Sequence, residues 1–207
     1  MPTLANAAAK LKCRARSCGG VDLPALWLMT DESRLADPLA AVARLPRGSG
    51  VVLRHYGDKQ RHVLAARLAP VCRRRGLTLV VAADWRLAAR VGAAGIHLPE
   101  YLARLGLSAG ARLWRSAKKT RLLTVAAHGF EGLHRAENVD ASAAFLAPAF
   151  VTDSHLGRSG LGPRRFGQLV RAARLRVIAL GGVNARSVAQ MATSRCAGVA
   201  GIGFAAK

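Results

Sequence analysis

Along this chain, short runs of apolar and β-branched residues alternate with longer stretches whose apolar positions recur three or four apart. The runs are residues 26–30 (LWLMT), 50–54 (GVVLR), 77–82 (LTLVVA), 95–98 (GIHL), 121–127 (RLLTVAA), 143–147 (AAFLA), 177–180 (VIAL) and 198–202 (GVAGI). Most are continuously apolar rather than alternating, the pattern of parallel strands covered on both faces. The stretches between them read as helices. In residues 61–75, Val63, Leu64, Leu68, Val71 and Cys72 fall at helical spacing. Pro70 is expected to kink or break that helix and Gly76 to stop it. In residues 184–194, Val188 and Met191 stand three apart behind Asn184, a candidate N-cap.

Eight strand–helix units within about 180 residues predict the α/β class and a compact (β/α)8 TIM barrel. Only residues 84–94 separate the third and fourth strands, so the third helix should be short. Five residues follow the eighth run, so the final helix should be truncated. An open doubly wound sheet is the alternative arrangement. Residues 1–22 show no clear element and are expected to form a flexible basic extension, with the barrel over 23–207.

Composition narrows the function classes. At 51% hydrophobic, the chain can build a real core. No apolar run approaches the roughly 18 residues of a membrane span, and the N-terminal stretch lacks the apolar core of a secretory signal. A cytoplasmic location is therefore expected. Cys13, Cys18, Cys72 and Cys196 fit no zinc or redox spacing. The formal net charge is +21, and only six of the 32 basic residues are lysine. Such a field attracts phosphorylated ligands and nucleic acid. The arginines are scattered and do not interleave with aromatics as a stacking platform requires. Nonspecific nucleic-acid binding is expected rather than a dedicated nucleic-acid site.

In barrels of this kind the chemistry gathers where the strands end. Asp31 follows the first strand, Arg54 and His55 the second, and Asp84 the third. His97 lies in the fourth, with Glu100 just beyond, and His128 follows the fifth. Thr152, Ser154 and His155 follow the sixth, Gly181 and Gly182 the seventh, and Gly201 and Gly203 the eighth. Four of the six histidines thus lie at one end of the barrel. The glycines after the seventh and eighth strands predict a phosphate site, because glycine lets backbone N–H groups approach phosphate oxygens beside a helix N-terminus. Residues 152–163, with Gly157, Gly160, Gly162 and Arg158, are expected to form a loop able to close over an anion.

These residues carry a family resemblance. LWLMTD, GAAGIHLPE, FLAPAFVTDSHLG, VIALGGVNARSV and GVAGIGFA, in that order, resemble the thiamin phosphate synthases and their TenI-type relatives, the thiazole tautomerases. The likeness covers residues 26–206. It implies a TIM barrel holding a thiazole phosphate at Gly181, Gly182, Gly201 and Gly203. The synthase joins a pyrimidine diphosphate to the thiazole phosphate with Mg²⁺ and loss of pyrophosphate. Its Gln-Leu-Arg-Glu-Lys stretch here retains Arg54, with Val52 and Tyr56 in place of glutamine and lysine. Asp84 matches the first metal carboxylate, Leu102 stands at the second, and Glu100 is near; these are the metal residues under the synthase reading alone. His155 replaces the lysine after the sixth strand. The tautomerase works without a cofactor, using a histidine after the fifth strand, and His128 matches it as acid and base. Arg54, His97, Thr152, Ser154 and His155 would line the substrate site. The resemblance therefore implies a thiazole phosphate bound for TenI-type proton transfer. A Mg²⁺-dependent synthase and a non-catalytic binder of a phosphorylated ligand are the alternatives.

Overall fold

The computed structural model describes residues 3–14, 22–151 and 160–202. Its eight parallel strands close into a barrel in sequence order: β1 (Leu26–Met29), β2 (Gly50–Leu53), β3 (Thr78–Ala82), β4 (Gly95–Leu98), β5 (Leu122–Ala127), β6 (Ala143–Leu146), β7 (Arg176–Leu180) and β8 (Gly198–Gly201). Each lies within one residue of its apolar run. The helices, among the described residues, are α1 (Leu4–Arg14), α2 (Pro38–Arg44), α3 (Arg61–Arg75), α4 (Trp85–Arg90), α5 (Glu100–Leu105), α6 (Ala109–Ser116), α7 (Phe130–Asn138), α8 (Gly162–Ala172) and α9 (Ala185–Gln190). None is long and apolar enough to cross a membrane.

The strands bury both faces, which explains their unbroken apolar character. Alternate residues, Trp27, Met29, Val52, Val80, Ala82, Leu122, Phe145, Ile178 and Ala200 among them, fill the lumen as one cluster. The intervening residues, such as Leu28, Val51, Val81, Leu123, Val125 and Ala179, face outward into the larger core shared with the helices. Trp27 crosses the floor of the lumen. Its Nε1 donates to the Pro24 carbonyl at 2.7 Å, and its ring meets Phe145 edge-on at 5.4 Å. Gly50 makes room for it, because a Cβ there would stand 2.1 Å from the indole.

Two local expectations are corrected. Helix α3 runs from Arg61 to Arg75 without a break at Pro70. It ends at Gly76 in the left-handed conformation (φ 62°), as expected. Residues 4–14, read as carrying no clear element, form α1. Leu4, Ala8 and Leu11 place one apolar face at helical spacing. Ala8 and Leu11 are buried, and the helix packs on α9 and the outer faces of β8 and β1. Helix α4 is short, six residues, as the spacing predicted. The truncated final helix was expected over residues 203–207, which lie outside the described residues.

Candidate functional site

The C-terminal rim of β1 and β2 is a closed polar knot. Arg54 donates through Nε to the Thr30 carbonyl at 2.9 Å and through Nη2 to Asp31 Oδ2 at 2.6 Å. Arg34 reaches the same carboxylate oxygen at 2.9 Å. Burial alone would raise the Asp31 carboxyl; the hydrogen bonds from Arg34 and Ser33 and the charge of Arg54 outweigh it and hold the group far below the usual range. Thr30 Oγ1 lies 2.9 Å from His55 Nδ1. Arg54 is thus placed at the rim as predicted, with part of its hydrogen-bonding capacity directed to Asp31 and Thr30.

His97 is inside the lumen. It is 3% exposed, its Nδ1 lies 3.0 Å from Thr124 Oγ1, and its ring packs edge-on against Phe145. Burial first, and the nearby Arg54 charge second, push its pKa down to about 3. It is a neutral polar tenant of the barrel interior.

The most developed arrangement joins β4, β5 and α7. His128 follows β5 directly, and its Nδ1 is paired with Oε2 of Glu100, the first residue of α5. Glu100 Oε1 is in turn paired with Arg135 Nη2 from α7. Arg135 Nη1 also reaches Glu131 Oε2 at 3.4 Å. Burial works to raise the Glu100 carboxyl, but hydrogen bonds from His128 and Arg135 prevail and lower it. An ionised carboxylate only accepts, so Nδ1 of His128 is the donor in this pair, and in a neutral ring Nε2 is then the acceptor nitrogen. The His128 side chain is 47% exposed, open to a reactant. The strand order held a signal for this pairing: residues just past two sequential strands are neighbours on the rim. Arg135, midway along α7, had none.

Gly181 and Gly182 follow β7 with φ of 89° and 64°. The segment after β6 lies directly on them: Ala149 N donates to the Leu180 carbonyl at 2.8 Å and Phe150 N to the Gly181 carbonyl at 3.1 Å. A Cβ on Gly182 would stand 2.4 Å from the Val151 carbonyl oxygen. The pair therefore has a packing role as well as any ligand role. Asn184 caps α9, accepting from Arg186 N at 2.9 Å and Ser187 N at 3.0 Å, and Ser187 Oγ donates to the Gly182 carbonyl at 3.1 Å. Gly201 closes β8 opposite Leu28. Thr152, Ser154, His155 and Gly203 lie outside the described residues.

Asp84 is used locally: Oδ1 accepts from Leu87 N at 2.9 Å as the N-cap of α4. Both Glu100 oxygens are engaged, one by His128 and one by Arg135. Among the described residues, no group of three or more His, Cys, Asp or Glu side chains could hold a metal ion. Tyr56, Tyr101 and Phe130, which follow β2, β4 and β5, are about half exposed or more and give the rim apolar surface. A concavity of about 610 Å³ beside Asp84 is lined by Lys59, Arg61, Arg86 and Arg90.

A family model described as thiamine monophosphate synthase matches residues 26–204. A thiamine-phosphate synthase of Thiobacillus denitrificans is 38% identical over 78 residues, 35% of this chain and 37% of that protein. One of Bacillus velezensis is 27% identical over 140 residues, 64% of this chain and 59% of that protein. The chain thus matches less than two thirds of the length of these two relatives. A putative thiamine-phosphate synthase 2 of Aquifex aeolicus is 22% identical over 187 residues, 88% of this chain and 97% of that protein. Among solved structures, a thiamine phosphate pyrophosphorylase from Pyrococcus furiosus has a TM-score of 0.68 at 18% identity, covering 86% of this chain and 85% of that one, a likeness of fold.

Proposed function

Because the chain belongs to the thiamine monophosphate synthase family, we propose that it takes a thiazole phosphate at the C-terminal rim and that His128 moves protons on the ring without a metal ion. The observation that carries this reading is the engagement of Glu100. It is the acid that could complete a metal pair with Asp84, and it is instead paired with His128 and Arg135. The same contact that weakens a metal site gives a histidine with a defined basic nitrogen.

The proposed chemistry is a tautomerisation. Nε2 of His128 takes a proton from a ring carbon and the imidazolium returns one at a second position, so nothing is oxidised and no group leaves. Backbone N–H groups around Gly181 and Gly182, with Gly201 at the end of β8 and Gly203 two residues later in the sequence, would hold the phosphate. Tyr56, Tyr101 and Phe130 offer flat apolar surface to a heteroaromatic ring. Arg54, Thr152, Ser154 and His155 complete the proposed lining; His97, buried in the lumen, would act as its floor.

The names of the relatives favour a second reading, synthesis of thiamin phosphate with Mg²⁺. That reading would place Mg²⁺ on Asp84 and Glu100, which here accept from Leu87 N and pair with His128 and Arg135. Separate incubations distinguish the readings. We expect interconversion of thiazole carboxylate phosphate tautomers by the purified protein, reduced at least about 100-fold in His128→Ala. Thiamin phosphate formed from both substrates with Mg²⁺, with no tautomer interconversion, would establish the synthase instead. Tight thiazole phosphate binding with neither turnover would leave a non-catalytic binding protein.

A further inference from the structure

We propose that Glu100 is a positioning residue, clamped by Arg135 and given room by Gly132, that holds His128 in the Nδ1–H form with Nε2 free to act as base. The inference rests on His128 being the acid–base group, and it adds a device built from three elements that the resemblance does not assign.

Two helices supply the constraints on His128. Helix α5 begins at Glu100, where the helix dipole favours a carboxylate and fixes its backbone. Helix α7 supplies Arg135, whose Nη2 takes the carboxylate oxygen that His128 does not use. The same helix carries Gly132 in its first turn, and glycine is a poorer helix former than alanine. A Cβ there would lie 3.0 Å from Ala127 Cα and 3.2 Å from Glu100 Oε1. Glycine at 132 lets α7 pack closely on the end of β5 without crowding the carboxylate. The Glu100 side chain is 19% exposed and the Arg135 side chain 22%, against 47% for His128. The supporting pair is therefore sheltered and the base open.

An imidazole freed from such a partner can hydrogen bond through either nitrogen, and one tautomer presents an N–H where the base is needed. Fixing the tautomer removes that unproductive population. A carboxylate held by both an arginine and the histidine loses rotamer freedom once and serves two contacts.

The test reads the tautomer directly in the full-length protein. Nitrogen-15 NMR of the His128 ring should show Nδ1–H in the wild type, retained in Glu100→Gln, whose amide oxygen can still accept, and lost in Glu100→Ala. In tautomer interconversion, Glu100→Ala should lower kcat by about 10- to 100-fold with KM changed less than about twofold, and Glu100→Gln should recover part of the loss. A wild-type ring in the Nε2–H form, or a Glu100→Ala variant with unchanged tautomer and kcat, overturns the proposal. If the wild type shows no turnover yet Glu100→Ala releases the Nδ1–H form, positioning stands and the proposed reaction falls.

Discussion

Burial holds the imidazole of His97 down to about pKa 3, against an ordinary 6.5. Above pH 6.5 both folded and unfolded chains carry it neutral. Below that, the unfolded chain takes up a proton that the folded chain refuses until about pH 3. Stability is therefore present in full above pH 6.5 and is lost as pH falls toward 3, by at most about 1.4 kcal/mol per pH unit. His55 is shifted the same way, by burial, so the His97 share must be read as a difference. We expect urea denaturation of His97→Gln between pH 7 and pH 4 to show a shallower loss than the wild type; parallel pH dependences would contradict this. The sequence placed His97 at a strand end but could not distinguish lumen from rim, because that depends on strand register. Gly182 was legible as special, yet part of its reason, the Val151 carbonyl against its missing Cβ, is a contact between distant segments.

Strands were the most readable elements because continuous apolar runs of this length have few other uses in a chain with recurring helical stretches. Helix α1 was overlooked although its apolar spacing is helical, since its lysines and small residues obscure the stripe. Its Leu11 is buried, 3% exposed, and the helix packs on α9, β8 and β1. Truncating Leu11 should cost about 2–5 kcal/mol, the range for a buried leucine removed from a core. Leu11→Ala measured by urea denaturation checks this; a change below about 0.5 kcal/mol would mean that α1 adds nothing to the barrel. Pro70 shows the opposite failure: a helix breaker by local rules lies within α3 because packing of Leu68, Ala69 and Cys72 in the core outweighs one lost backbone bond.

For the molecule as a whole, the net charge of +21 is a long-range property that fold and site do not require. It predicts nucleic-acid binding that weakens steeply with salt, by about 10³-fold or more between 50 and 200 mM if six phosphates are contacted. Titration of a random DNA duplex by fluorescence anisotropy should show that slope, unchanged in His128→Ala and with no sequence preference. A salt-insensitive affinity, or one that depends on His128, would contradict it. Family and barrel were both legible, since they rest on ordered motifs. The chemistry was not, because it turns on whether Glu100 faces a metal or His128.

That choice is tested most directly by proton exchange. Purified protein in D₂O with EDTA is incubated with thiazole carboxylate phosphate, and deuterium incorporation at the ring carbon is followed by NMR. The account predicts incorporation well above the buffer rate in the wild type and its loss in His128→Ala. Incorporation no faster than buffer, alongside Mg²⁺-dependent formation of thiamin phosphate, would contradict it.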